Sequence, residues 1–349
     1  MKLNHQFKLA TLSALLVSGA LVVAGSGMAG AQEQLFQDRG PISYTATGGS
    51  ARGYSRVVFE ALNGIVRDEY PGSAAEFRPG SPAGSLLEIA RGNADFAGAS
   101  GAVEVQYAID GTAPFRESLD GQIFHVMTIH NELTVHYLMT QTWSERHSIE
   151  SMADIAEKQP PMRIAVNTEA NLQSTIAMYE HIFNEYGFSM SDVESWGGSV
   201  IRGNSGIGMD ALRDGRADVF INGRFMPDSA LEDIHNNRPL KWINISEDKM
   251  LAAANSWDYD LYIAPAGISP FITTDSPTQK MWNAMQAGPH VTEETVYKFL
   301  NAIYNNVDRV QSIHPSLQDF GPEMMAWNPM GLPLHPGAER FYREKGLID

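Results

Sequence analysis

Leu86–Ser100 reads LLEIARGNADFAGAS, and Leu212–Asn222 reads LRDGRADVFIN. In each, a helical pattern ends at a glycine, Gly92 or Gly215, suited to a left-handed helix cap, and Ala-Asp and a β-rich run follow at once. Upstream of the first stretch, Ile42–Ala46 is a short β-like run and Thr47–Gly53 (TGGSARG) a glycine-rich turn. Tyr54, Val57, Val58, Ala61, Leu62, Ile65 and Val66 then mark one face of an amphipathic helix, which Pro71 and Gly72 stop. Ala74–Arg78, Ser81–Arg91 and Ala94–Ser100 continue as strand, helix and strand, giving a βαβαβ unit with parallel strands.

The order recurs further on. Met162–Asn167 (MRIAVN) is a strand, Thr168–Asn171 a polar turn, and Leu172, Ile176, Tyr179 and Phe183 a helix face ending at Gly187. Leu212–Ala217 then leads into the strand Asp218–Asn222. The echo implies two similar α/β lobes, although helix, glycine and strand in succession is also what a single α/β domain shows. Leu133–Thr140 (LTVHYLMT) reads as a strand leaving the first lobe and Asp260–Phe271 (DLYIAPAGISPF) as a return, after which the chain rejoins the first lobe. Two such crossings form a hinge. The expected organisation is a segment 1–31, a first lobe of 32–138 with 264–349, and a second lobe of 139–263. Ligands of open parallel sheets bind beyond the carboxyl ends of the strands, so the cleft belongs between two such edges.

The chain has 349 residues, and 43% of them are hydrophobic, enough for two ordinary domains or one large one. Lys+Arg 25 against Asp+Glu 41 gives a net charge of −16, which argues against nucleic acid as a partner. The absence of cysteine excludes thiolate catalysis, disulfides, iron–sulfur clusters and thiolate zinc sites. Met1–Ala31 carries Lys2, His5 and Lys8, an apolar run Leu9–Val23, and the small residues Ala29, Gly30 and Ala31. That is the pattern of an export signal cleaved after Ala31. A membrane anchor is the alternative, but Thr11, Ser13, Ser18 and Gly19 interrupt the run. Cleavage removes two lysines and no acid, leaving 23 basic against 41 acidic groups, a net of −18. A periplasmic setting follows.

Catalytic motifs are missing. Gly203-Asn-Ser205-Gly206 and Gly98-Ala-Ser100-Gly101 place the second glycine one position early for a nucleophile elbow. There is no H-E-x-x-H or Walker A, and no G-x-G-x-x-G follows a strand; His125, His130 and His136 suit no helical zinc pair, and Asp258 and Asp260 lack the later ligands of a calcium loop. No catalytic residue, metal ligand or cofactor is therefore assigned, although a triad assembled from distant residues leaves no local signature.

Polar turns after strands are the positive signal. Thr47, Gly48 and Gly49 precede the helix at Tyr54, where backbone N–H groups and the helix dipole favour a carboxylate. Arg52 supplies a bidentate partner or is simply solvated. Ser100 and Gly101 close the third strand. In the second lobe Thr168, Asn171, Gln173 and Ser174 open a helix, with Asn171 alternatively only its N-cap. Asn222 and Arg224 follow the last strand; Arg224 either binds a ligand carboxylate or points to solvent. Trp196 and Tyr262 are wall or core.

Leu334–Leu347 (LHPGAERFYREKGL) resembles the C-terminal motif of the TAXI solute receptors, the extracytoplasmic binding subunits of one class of TRAP transporters. Thr45–Tyr54 (TATGGSARGY) is similar to their first-lobe T-G-G loop, Leu86–Ser100 to their helix-G-x-A-D-strand element, and Tyr262–Gly267 (YIAPAG) to their hinge-side segment. The resemblance implies a type II periplasmic-binding-protein fold and a monomer that binds a small organic anion, such as glutamate or 2-oxoglutarate, between its lobes. It also implies delivery to a membrane permease driven by an ion gradient. A sensory binding module signalling to a membrane receptor is the alternative. The second lobe departs from the pattern. Thr168-Glu-Ala-Asn-Leu-Gln-Ser174 replaces a P-G-S-G-T turn and Asn222-Gly-Arg-Phe-Met-Pro227 an A-G-x-P turn, and Glu169 is added, able to repel an anion or pair with an ammonium.

Overall fold

The computed structural model describes residues 39–49, 51, 54–168 and 173–349. The export signal read in 1–31, together with Arg52, Glu169, Asn171, Leu172 and the side chain of Gln173, lies outside the described residues.

The first group of elements is β1 (Ser43–Thr47), α1 (Tyr54–Glu69), β2 (Ala74–Arg78), α2 (Pro82–Ala90), β3 (Phe96–Ser100) and α3 (Ala102–Asp110). The long β4 (Phe124–Thr140) leads to a second group of the same grammar: β5 (Arg163–Asn167), α4 (Gln173–Glu185), β6 (Ser199–Gly203), α5 (Ser205–Arg213), β7 (Val219–Arg224) and α6 (Ser229–Asn237). Then come β8 (Leu240–Trp242), β9 (Asp260–Ala264), β10 (Ser276–Ala287), α7 (Glu293–Tyr304) and α8 (Pro336–Glu344).

The sheet runs β2-β1-β3-β10-β4-β7-β5-β6, with β8 on β4 and β9 on β10. Each βαβαβ unit places its first strand in the middle: β1 is parallel to β2 and β3, and β5 is parallel to β6 and β7. The repeated Gly-x-Ala-Asp junction explains this arrangement. Gly92 and Gly215 both take the left-handed conformation, φ 74° in each case. Asp95 N–H donates to Thr45 O at 2.9 Å while its carboxylate accepts from Thr45 N–H at 2.7 Å. Asp218 repeats the clasp on Arg163, at 2.7 Å and 3.2 Å, and adds an ion pair to the guanidinium at 2.6 Å. One carboxylate thus fixes the last strand of each unit to its central strand. Asp95→Ala leaves the Thr45 amide without its acceptor, and urea unfolding should show a loss of about 1–3 kcal/mol. Asp95→Asn, which keeps an acceptor oxygen, should lose less.

In α1 the buried stripe is Val58, Phe59, Leu62, Ile65 and Val66. Val57, expected on that stripe, is 54% exposed, and Phe59 takes the inner position against Phe77, with ring centroids 5.5 Å apart. At the start of the helix, Tyr54 meets Phe225 and two histidines with its ring. In α4 the expected positions Ile176, Tyr179 and Phe183 are buried.

Two antiparallel strands carry the chain between the groups. One end of β4 pairs with β10 from Phe124 to Thr134, and its other end pairs with β7 from Thr134 to Met139. The expected crossing strand Leu133–Thr140 is therefore the second half of a strand twice as long. The return is made by β10, with Asp260–Ala264 as its outer partner. Three register shifts interrupt the β4–β10 ladder, each giving β4 one extra residue; such bulges raise local twist and let the ladder bend. The C-terminal segment lies against the amino end of β4. Tyr342 OH donates to Val126 O and Met325 O, and Leu334 bridges to His125. Among the described residues, no helix is long and apolar enough to cross a membrane.

Candidate functional site

The carboxyl ends of β1, β3, β5 and β7 converge, and two sets of contacts join the two groups there. On one side the N-termini of α3 and α4 meet around Glu104, which is fully buried. Gly101 N–H donates to Glu104 Oε2 at 3.1 Å, Ser174 N–H to Oε1 at 2.9 Å, and Ser174 Oγ to Oε2 at 2.5 Å. Tyr259 OH donates to Ser174 Oγ at 2.8 Å and accepts from Ala102 N–H at 2.9 Å. Burial and the nearby Glu104 charge push the Tyr259 phenol above its ordinary range, so it serves as a neutral hydroxyl.

On the other side an aromatic cluster forms around Tyr54. Its ring centroid lies 4.5 Å from Phe225, 5.3 Å from His130 and 4.9 Å from His314. Ser316 Oγ donates to Tyr54 OH at 3.0 Å. Tyr54 comes from the first turn of α1, His130 from β4, Phe225 from the loop after β7, and His314 from the segment after α7. Burial, with His314 alongside, pushes the His130 pKa down to about 3, so the ring is neutral and packs as an aromatic.

The expected residues fall as follows. Thr47 ends β1 and is buried; Gly48 and Gly49 follow with φ 139° and 63°. Ser100 ends β3, fully buried, and its Oγ has no hydrogen-bond partner among the described residues. Gly101 caps α3. Thr168 follows β5 and Ser174 lies in the first turn of α4. Asn222 is buried in β7, where its Oδ1 accepts from Asn167 Nδ2 at 2.7 Å and Ser205 Oγ at 3.0 Å. Arg224 ends β7 with its guanidinium held by Asp228 at 2.5 Å. Burial opposes ionisation of Asp228, yet the Arg224 contacts outweigh it and hold the carboxyl below its ordinary range. The same carboxylate caps α6 through Ala230 and Leu231 N–H. The structure thus brings Gly101 and Ser174 together, and Tyr54 to the loop after Arg224.

Trp196 is not a cleft wall. It packs on Phe188, and the adjoining Gly197 and Gly198 line a depression of about 470 Å3 with Arg163, at the amino ends of the strands. Tyr262 stands on β9 under Lys280 Nζ, 4.8 Å from its ring centroid.

Sequence reasoning missed Glu104, Tyr259, Phe225, His130, His314 and Thr175, whose buried Oγ1 also has no partner among the described residues. Only Glu104 had a local signal: a glycine N-cap followed three residues later by glutamate, half of a capping box.

The sequence model of the NMT1-like family matches residues 79–346. Among solved structures, the chain is similar to MatC from Rhodopseudomonas palustris with bound malate, at 13% identity over 88% of this chain and 99% of that one, with a TM-score of 0.53. It is also similar to PhnD1 from Prochlorococcus marinus in complex with methylphosphonate, at 9% identity over 89% of this chain and 100% of that one, with a TM-score of 0.52. These likenesses show the fold, the two-lobed α/β architecture of periplasmic binding proteins.

Proposed function

The chain belongs to the NMT1-like family, and from that premise we propose that it is a periplasmic solute receptor, the binding subunit of a TAXI-type TRAP transporter. The observation that carries this reading is the convergence of four strand ends and three helix N-termini, those of α1, α3 and α4, where elements of both groups meet. The arrangement supports binding of a small, polar guest. Ser100 and Thr175 contribute hydroxyls that are buried and unpaired among the described residues, beside the Gly101 and Ser174 donors.

The ligand is a small organic anion: an amino acid, a dicarboxylate or an oxoacid. MatC carries malate and PhnD1 methylphosphonate, both anions of this size. Glu104 already takes the donors of α3 and α4, so our reading puts the ligand carboxylate at Thr47, Gly48, Gly49 and the start of α1, with Tyr54 alongside and Arg52 as its bidentate partner. Asn222, Thr168, Asn171, Gln173 and Arg224 complete the second-lobe side. The lobes are 32–138 with 264–349, and 139–263. The export signal is removed after Ala31, and the receptor acts as a monomer that hands its ligand to the permease subunits.

Closure follows from differential contact: a ligand that touches both lobes only in the closed form shifts the population toward it. A ligand at 100 times its dissociation constant should add about 2.7 kcal/mol to the folded state. Thermal unfolding of residues 32–349 against glutamate, malate and 2-oxoglutarate should therefore show a raised midpoint with at least one of them. If none shifts it while calorimetry finds tight binding of a neutral or cationic solute, the anion assignment is wrong. Uptake in vesicles holding the permease should stop with an ionophore while ATP is present; ATP dependence would instead assign an ABC transporter.

A further inference from the structure

Glu104 is an acid where an anionic guest would be expected. α3 packs on the first group through Val105 and Ala108, which share a core with Leu86 and Ile89 of α2. α4 belongs to the core of the second group through Met178, Ile182 and Phe183. The bonds from Ser174 N–H and Oγ to the Glu104 carboxylate therefore run from one half of the protein to the other. Gly101 N–H and Ala102 N–H on the first side, and Ser174 N–H on the second, are donors that helix N-termini leave without an intrahelical backbone partner, and here Glu104 and Tyr259 take them. Tyr259 OH closes the ring of bonds from a third segment, the approach to β9. Every group in the ring is buried or backbone, so water competes weakly for any of its bonds.

We propose that Glu104 is a tethered anion that latches the two halves together. It supplies to α3 and α4 the negative charge that a bound carboxylate would otherwise bring. Opening requires the Glu104–Ser174 bonds to break, which leaves the carboxylate short of two donors and the N-terminus of α4 without its counter-charge, while Gly101 N–H stays with Glu104 on α3. The latch thus biases the protein toward the closed form before any solute arrives, and it bars free carboxylates from that junction.

The chain has no cysteine, so two introduced ones can be labelled cleanly. Glu60→Cys on α1 and Asp210→Cys on α5 are exposed positions on either side of the cleft. Spin labels there report the separation of the halves by pulsed electron resonance, in protein stripped of ligand by unfolding and refolding. With Glu104 intact, one short distance should dominate, and 10 mM acetate should leave it unchanged. In Glu104→Gln the longer-distance population should rise at least about tenfold, as expected from losing a charge-assisted bond. In Glu104→Ala acetate should restore the short distance, because the free anion refills the junction. An unchanged distribution in folded Glu104→Gln, or an open Glu104→Ala that acetate does not close, overturns the latch. Should neither variant fold, Ser174→Ala, which keeps the amide bonds to the carboxylate, decides: a larger open population supports the proposal and an unchanged one rejects it.

Discussion

Lowering the pH from 7 to 5 should cost the folded protein roughly 6 kcal/mol of stability through three histidines of β4. His125, His130 and His136 are buried, and burial pushes their pKa values down to about 4, 3 and 3. Unfolded, each titrates near the ordinary histidine value of about 6.5. Between those limits the unfolded chain binds three protons that the native state does not. The stabilisation is therefore complete above pH 6.5 and is lost as the pH falls toward 4, at about 2 kcal/mol per histidine by pH 5. That sum is comparable with the whole stability of an ordinary domain. Urea unfolding from pH 7.5 to 5 measures it, and His136→Leu provides the control. Both ring nitrogens of His136 lack partners among the described residues, so an apolar replacement should cost little at pH 7 and should flatten the pH dependence by about a third. A slope that is the same with and without His136 would show that its ring is not held neutral.

Gly48→Ala should be the most damaging small substitution near the cleft, lowering stability by about 2–5 kcal/mol and abolishing solute binding. Gly48 has φ 139°, a conformation side chains rarely adopt. A Cβ there would also lie 2.1 Å from the carbonyl oxygen of Gly98, in the middle of β3. Backbone cannot rotate away as a side-chain tip can, so the turn after β1 must lift off β3, and Thr47, Tyr54 and the start of α1 move with it. Urea unfolding and isothermal calorimetry report the two losses separately. A variant that keeps wild-type stability and affinity would mean that the turn has room to shift without consequence.

The architecture was legible where the chemistry is local. Gly92 and Gly215 stop helices wherever they stand, and the Ala-Asp after each clasps a central strand, so the two junctions announced two units with the same strand order. Periodicity counts residues and not neighbours: Val57 fits the spacing of the apolar stripe, yet it is exposed while Phe59 is buried against Phe77. The site was legible at one remove. Strand ends and helix starts named Gly101 and Ser174, but what they bind is Glu104, and Tyr259 reaches Ala102 across 157 residues of chain and Ser174 across 85. Phe225 and His314 meet Tyr54 only after both groups have folded, and no spacing in the sequence marks such a meeting. Arg224 carried the right charge for a ligand partner; the acid four residues on, Asp228, is what holds it.

The position of β10 sets the order in which the molecule can be made. β5, β6 and β7 with their helices are contiguous in the chain, and that unit can assemble as soon as Arg224 has emerged from the ribosome or the export channel. β3 has to wait for β10, which lies between it and β4 in the sheet, and for α8, which ties down the amino end of β4. The first unit, β1 to β3, is contiguous as well, but the open edge of β3 is among the last to find its partner, a separation that makes joining of the two halves a slow, long-range step. On the proposed export route, such a delay keeps the two halves from closing on each other until the trailing end has been delivered.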